Sequence, residues 1–179
     1  MKLSNIFKHL WLITKHRHRV FLLCTKCGLF WRGLLHDLSK YSCVEFWESA
    51  KFYTGYRSPI SICREVKGYS LAWLHHKGRN RHHIEYWYDE DSILQAVVPY
   101  KFAVEGICDK IVATKIYRGK SFELSDVLLH WNRMKSKLHA NEKVLQFYDK
   151  VLTDLKDYGE KYVENSKYLK KTYTEICEK

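Results

Sequence analysis

The stretch 34-LLHDLSK-40 places a histidine and an aspartate side by side behind two leucines, with a serine and a lysine within the next turn. The leucines favour burial. His36, Asp37 and Lys40 are costly beside them unless they are paired, hydrogen-bonded or bound to a metal. The reading of the chain turns on whether residues elsewhere supply those partners.

The segments around this stretch read as helices. A first helix is expected from about Asn5 to Cys27, with Ser4 as N-cap and Gly28 just past its end; Ile6, Leu10, Ile13, Val20 and Leu23 keep roughly helical spacing. A second covers Phe30 to about Asp37. In 42-SCVE-45 the pattern is that of a capping box, Ser42 accepting from the Glu45 backbone and Glu45 reaching back, so a third helix follows through Phe46, Trp47 and Ala50. Ser58-Pro59 starts another, and Gly68 interrupts the segment 60–77. Val98-Pro99 opens a long helix that ends at Gly119, and Ser125 caps one over 126–138. From Asn141 onward, Val144, Leu145, Tyr148, Val151 and Leu155 mark one or two amphipathic helices.

Two prolines and eight glycines in 179 residues leave little for a turn-rich β architecture. The fold class expected is all-α, a helical bundle. With no internal repeat and no linker, residues 1–179 form a single domain: a motif-bearing core at about 5–119 and C-terminal helices at about 125–178. The 46% hydrophobic content is enough for a real core.

Charge narrows the partners. The balance of 31 Lys+Arg against 20 Asp+Glu, a formal +11, favours anions: a small phosphate-containing substrate, with nucleic acid also open. A well-solvated basic surface accounts for the same numbers. The N-terminal apolar residues are broken by Lys8, His9, Lys15, His16, Arg17, His18 and Arg19, so no signal peptide and no membrane span is expected. The cysteines are then expected to be cytoplasmic and reduced. Cys24 and Cys27 have CxxC spacing, but no second pair follows, and they read as ordinary thiols. Oligomeric state is not legible.

Ten histidines are many for this length, and they cluster. His16 and His18 lie on the first helix, His36 precedes Asp37, and 75-HHKGRNRHH-83 holds four more. Asp109 interrupts the apolar run 107-ICDKIVA-113. The order is His, His-Asp, His…His, Asp. Neutral imidazoles and carboxylates are the ligands that manganese, iron, nickel and zinc accept, and helices converging with such groups can hold one or two divalent ions. An ion so held activates water for attack on phosphorus and neutralises charge on phosphoryl oxygens.

That order and the local motif resemble the HD-domain superfamily of metal-dependent phosphohydrolases. Here 35-LHDLSK-40 is similar to the superfamily's L-H-D-[IL]-G-K, with Ser39 where glycine is usual. The resemblance implies an HD-type helical bundle with His36, Asp37 and Asp109 as metal ligands and Lys40 near the metal, where it can contact phosphate. More narrowly, the chain resembles an uncharacterised family of small bacterial and phage proteins with the pattern H-x3-V, H-D-x-S-K, H-x3-N-x-H-H and E-x3-D. It appears as His16…Val20, His36 to Lys40, His76…Asn80…His82-His83 and Glu105…Asp109. This favours His16 over His18 and His76 over His75. The Gly-Tyr-Pro element of the branch that cleaves cyclic dinucleotides is missing, so that substrate is not assigned.

The residues leave several alternatives open. His16 can equally be a solvated member of 15-KHRHR-19. On a helix His82 and His83 point ~100° apart, so one of them is taken as a ligand. The seven-residue spacing from His76 selects His83, provided the helix runs through Gly78. Asn80 either orients a ligand, contacts substrate or caps a helix. Glu105 either faces the site or forms a plain salt bridge; Glu45 either supports a ligand or acts as a base, but its cap already explains it and is favoured. The function expected is hydrolysis of a phosphate mono- or diester, nucleotide-like, with His16, His36, Asp37, His76, His83 and Asp109 as metal ligands and Lys40, Asn80 and Glu105 in catalysis. Its rivals are a basic helical nucleic-acid-binding protein and a metal-binding helical protein without turnover.

Overall fold

The run 102-FAVEGICDKIVA-113 becomes the central helix. Its residues from Phe102 through Cys108 are all buried, and Ile111, Val112 and Thr114 continue the burial. A helix enclosed on nearly every side must be apolar on nearly every side, which is why Glu105 and Asp109, one turn apart, stand out. The computed structural model describes residues 2–179, and these are all-α: ten α-helices and no strand among the described residues.

In chain order the helices are α1 (Leu3–Lys26), α2 (Phe30–Leu35), α3 (Cys43–Lys51), α4 (Pro59–Lys67), α5 (Leu71–Arg79), the central α6 (Tyr100–Arg118), α7 (Leu124–Lys135), α8 (Glu142–Tyr158), α9 (Glu160–Val163) and α10 (Ser166–Tyr173). Short 3-10 turns at Leu38–Tyr41 and Ile84–Trp87 carry the chain past the centre of the molecule. No described helix is long and apolar enough to cross a membrane.

Helices α1 and α2 pack on one side of α6, and α7, α8 and α10 on the other. The second side is apolar. Trp131, Phe147, Tyr148, Leu152, Leu155 and Leu169 are fully buried there, with Trp131 stacked at 4.9 Å from Tyr148. Fully burying side chains of this size stabilises by roughly 1.5–3 kcal/mol each. The first side is polar at its heart. The buried stripe of α1 is His9, Ile13, His16, Val20 and Cys24, spaced four, three, four and four apart.

Several local expectations are corrected. The α1 stripe is rotated from the apolar reading: Leu10 is exposed and His9 takes the inward position. Helix α1 begins at Leu3 without a Ser4 cap, and α2 stops at Leu35 rather than near Asp37. Glu123, not Ser125, caps α7 in a capping box with Asp126. Glu45 does not complete a box with Ser42: the Ser42 hydroxyl accepts from the Glu45 N–H, but the Glu45 carboxylate is engaged elsewhere. The Cys24 and Cys27 thiols are buried and free of disulfides.

Candidate metal centre

The centre begins with a break in the helix. After Leu35 the backbone turns to φ −54°, ψ 130° at His36 and then to the left-handed φ 52°, ψ 28° at Asp37. Asp37 is the one non-glycine residue with positive φ among the described residues. Aspartate tolerates this region better than most residues, yet the conformation costs about 1–2 kcal/mol. In a helix, consecutive side chains diverge by ~100°; here the turn sends His36 and Asp37 inward together. Arg17 on α1 holds the turn. Its guanidinium donates to the carbonyls of His36 (2.7 Å) and Leu34 (3.1 Å). Gly33 lets α2 approach α1 this closely, since a Cβ there would lie 2.8 Å from Cys24 Cβ and 2.9 Å from Phe21 Cα.

The Asp37 carboxylate is shared between two groups of imidazoles. Its Oδ2 lies 3.2 Å from His36 Nε2 and 3.7 Å from His16 Nε2. Its Oδ1 lies 3.4 Å from His76 Nε2 and 3.5 Å from His82 Nε2. Asp109 Oδ1 closes the first group, 3.0 Å from His16 Nε2 and 3.7 Å from His36 Nε2. His83 joins the second. The ligand atoms of His16, His36, Asp37 and Asp109 lie within 4.8 Å of one another, as do those of Asp37, His76, His82 and His83.

Carboxylates behind the rings set which nitrogens face inward. Glu105 Oε1 is 3.0 Å from His36 Nδ1 and 3.3 Å from His82 Nδ1, while Arg32 grips Glu105 Oε2 through two nitrogens at 2.7 and 2.8 Å. Glu45 bridges two histidines at 2.7 Å, His75 through Oε1 and His76 through Oε2. At His36 and His76 a carboxylate hydrogen-bonded to Nδ1 keeps the proton there and leaves the Nε2 lone pair for the centre. Asn80 donates to Ser39 Oγ (2.7 Å) and to the His76 carbonyl (2.8 Å), tying the end of α5 to the 38–41 turn.

The electrostatics leave the centre acceptor-rich. Neither Asp37 oxygen receives a hydrogen bond of normal geometry, although Lys40 Nζ lies 2.6 Å from Oδ2, and His83 Nε2 and both His82 nitrogens are likewise without such a bond. Burial pushes His16, His82 and His83 below the usual imidazole value. Burial opposes ionisation of Asp37 and Asp109 too, but the neighbouring histidines, and Lys40 at Asp37, hold both well below the usual carboxylate range. At His36 the same carboxylates, with Glu105, outweigh burial and raise the imidazole. Ionised carboxylates, neutral imidazoles and orphaned buried acceptors are the state a divalent ion requires. The mixed nitrogen and oxygen donors suit manganese, iron, nickel or zinc.

The sequence-named residues are therefore brought together: His16, His36, Asp37, His76, His83 and Asp109 share one centre. His18 is exposed on the far side of α1. The helix through Gly78 that singled out His83 ends at Arg79, and His82 stands in the same group, more deeply buried. Lys40 lines the cleft, whereas Glu105 and Asn80 stand behind the rings, Glu105 fully buried. Sequence reasoning passed over Arg17 and Arg32, and set aside a supporting role for Glu45 in favour of its cap. The spacing of Arg32, one turn before His36, was the available signal for one of them; Glu45 had none, because its partners lie 30 and 31 residues away.

The centre opens on a cleft of about 770 Å³ whose surface includes His16, Lys40, His76, His83 and Asp109. No curated protein and no solved structure matches the chain. A family model matches residues 5–165, which span both the centre and the helices behind it. The chain belongs to that family, DUF5662, a family of unknown function.

Proposed function

We propose that this chain is a metal-dependent phosphohydrolase of the HD type, acting on a phosphate mono- or diester of a nucleotide-like anion. The observation that carries the reading is the division of the Asp37 oxygens: Oδ2 serves the His16–His36–Asp109 group, and Oδ1 serves His76 and His82. A carboxylate with one oxygen in each of two ligand groups is suited to bridge two ions. Bound there, a divalent pair supplies charge neutralisation at phosphoryl oxygens and lowers the pKa of water.

The chain's own residues do the rest. His16, His36, Asp37 and Asp109 would hold a first ion; His76, His82 and His83, with Asp37, would hold a second. Glu105 and Glu45 orient the rings, Arg32 grips Glu105 from behind, and Asn80 positions His76. Glu105 and Asn80 are thus positioning residues, not groups that touch substrate. Lys40 stands on the cleft side of the centre and offers an ammonium to a phosphoryl oxygen. Burial opposes that charge, but Asp37 and Asp109 hold it above the usual lysine value, so it is charged at any working pH.

A metal used only to staple helices needs no opening to solvent. This centre has one, with Lys40 and the anion-attracting cleft beside it, which favours catalysis. The test is reconstitution with manganese, iron, nickel or zinc, followed by assay on p-nitrophenyl phosphate and bis(p-nitrophenyl) phosphate. Turnover that disappears in a folded His36→Ala/Asp37→Ala variant is expected. Metal-loaded protein that turns over neither ester nor a nucleotide panel overturns the hydrolase reading.

A further inference from the structure

The cleft extends well beyond the metal centre. Its volume of about 770 Å³ lies in the upper part of the ~300–1,000 Å³ range of pockets that enclose whole ligands, so an occupant fills far more than the phosphoryl group. The walls away from the centre come from the start of α4, the second half of α6 and the face of α7 that carries Asp126, Leu129, His130 and Arg133.

The cations on those walls are not equally free. Arg57 is held by Glu65, and Arg118 by Asp126 at 2.8 Å. Arg64 lies over the Trp73 ring at 4.7 Å, and Lys110, Arg133 and Lys137 also line the cleft; none of these four makes an ion pair among the described residues. The acids facing them are Asp109 in the centre, Glu85 and Asp126; Asp126 is already engaged by Arg118 and by the Glu123 N–H at 2.9 Å. Lys110 directly follows Asp109, and its ammonium lies over the rings of Trp131 (5.4 Å) and Tyr148 (5.9 Å), which link it to α7 and α8. Arg133 and Lys137 are four residues apart, continuing the row along and just past the end of α7. Cations without an acidic partner of their own beside a phosphate-ester centre are placed for anions that the ester carries with it.

We infer that Lys110, Arg133 and Lys137 form a second anion subsite that holds phosphates flanking the scissile one. The ligand class is a chain of linked phosphates, either the backbone of a short oligonucleotide or a free polyphosphate. The inference rests on reading the centre as a phosphate-ester site, and it is tested by binding rather than by turnover.

The probes are fluorescein-labelled phosphorothioate hexathymidylate, which resists hydrolysis, and unlabelled tripolyphosphate and inorganic phosphate as competitors. Anisotropy is read for the metal-reconstituted wild type, for Arg133→Glu/Lys137→Glu, and for Lys8→Glu/Lys15→Glu, which makes the same change in net charge on the exposed face of α1. Arg133 and Lys137 are exposed, so their reversal leaves the core intact. The α7 variant is expected to bind the oligonucleotide at least about tenfold more weakly, with a log–log salt slope flatter by roughly 1.4 for two lost contacts. The α1 variant should stay within about twofold of wild type. Tripolyphosphate should compete well below the concentration of inorganic phosphate needed. Tighter binding of the oligonucleotide than of tripolyphosphate assigns the backbone as the source, and the reverse assigns polyphosphate. The inference is overturned if neither probe binds wild type, if the α7 variant binds like wild type, if the α1 variant loses as much, or if inorganic phosphate competes equally. A protein that binds in the expected way but never turns over would sink the hydrolase reading and leave this subsite standing.

Discussion

Glu105 Oε1 lies 3.0 Å from Nδ1 of His36, the ring nitrogen turned away from Asp37. This contact decides which His36 nitrogen faces the centre; His36 and His82 hold the carboxylate low, and Arg32 grips it from behind. Glu105→Gln preserves shape but removes the charge. Outer partners of this kind are typically worth ~10–100-fold in metal affinity, so the variant should remain helical and lose about that much in a chelator competition. Wild-type affinity in the variant would show that Glu105 does not position the ring.

His9 makes stability depend on pH. It sits two turns before His16 on the buried stripe of α1, its Nδ1 has no hydrogen bond, and its ring packs at 5.3 Å from Phe46. Burial, helped by Lys40, lowers its pKa to about 4 from 6.5. Between those values the unfolded chain takes up a proton that the folded chain refuses, so stability is full above pH 6.5 and falls as the pH drops towards 4. The loss is on the order of 3 kcal/mol. In urea melts with chelator present, His9→Phe should show a shallower acid loss than wild type. Parallel pH profiles would refute the assignment.

Gly106 gives His82 its place. A Cβ at this position of α6 would meet the His82 carbonyl oxygen at 2.6 Å and overlap the Tyr148 hydroxyl. Gly106→Ala should destabilise by roughly 1–3 kcal/mol, the usual cost of overpacking, and displace the 82–83 segment. A lower melting temperature accompanied by loss of metal from the Asp37–His76–His82–His83 group is expected. A variant with unchanged melting and full metal content would contradict the packing account.

Arg17 secures the strained turn at Asp37 by gripping two carbonyls. Its removal leaves those carbonyls to solvent or unpaired. Arg17→Ala should cost about 1–3 kcal/mol, which is ~2–4 °C in melting temperature per kcal/mol for a domain of this size. Arg17→Lys, which cannot reach both carbonyls with a planar fork, should recover only part of the loss; full recovery would mean that charge rather than geometry holds the turn.

Much of the fold was legible because glycine, proline and apolar spacing are local signals. Pro59 starts α4, Gly68 ends it, and α6 runs up to Gly119. The site was legible as an order of residue types: His36-Asp37, the histidines of 75–83 and Asp109 are the ones that meet. What could not be read was decided at long range. Apolar spacing put Leu10 inward, but the buried stripe of α1 runs through His9 and His16 instead, His9 against Phe46 and His16 in the centre. The left-handed turn at Asp37 has no signature beyond aspartate itself. Glu45 fits a local capping pattern, yet two histidines on α5 are stronger partners for a carboxylate than one backbone N–H. The choice between His82 and His83 assumed a helix that stops at Arg79.

The central claim is that Asp37 joins two ion sites, and metal counting tests it most directly. After reconstitution with manganese, iron, nickel or zinc and removal of excess, mass spectrometry on wild type should give about two ions per chain. His16→Ala and His82→Ala, each from a different group, should retain about one, and Asp37→Ala should retain essentially none while keeping wild-type helical circular dichroism. A wild type that holds no ion under any of these metals, or an Asp37→Ala variant that keeps both, would contradict the account.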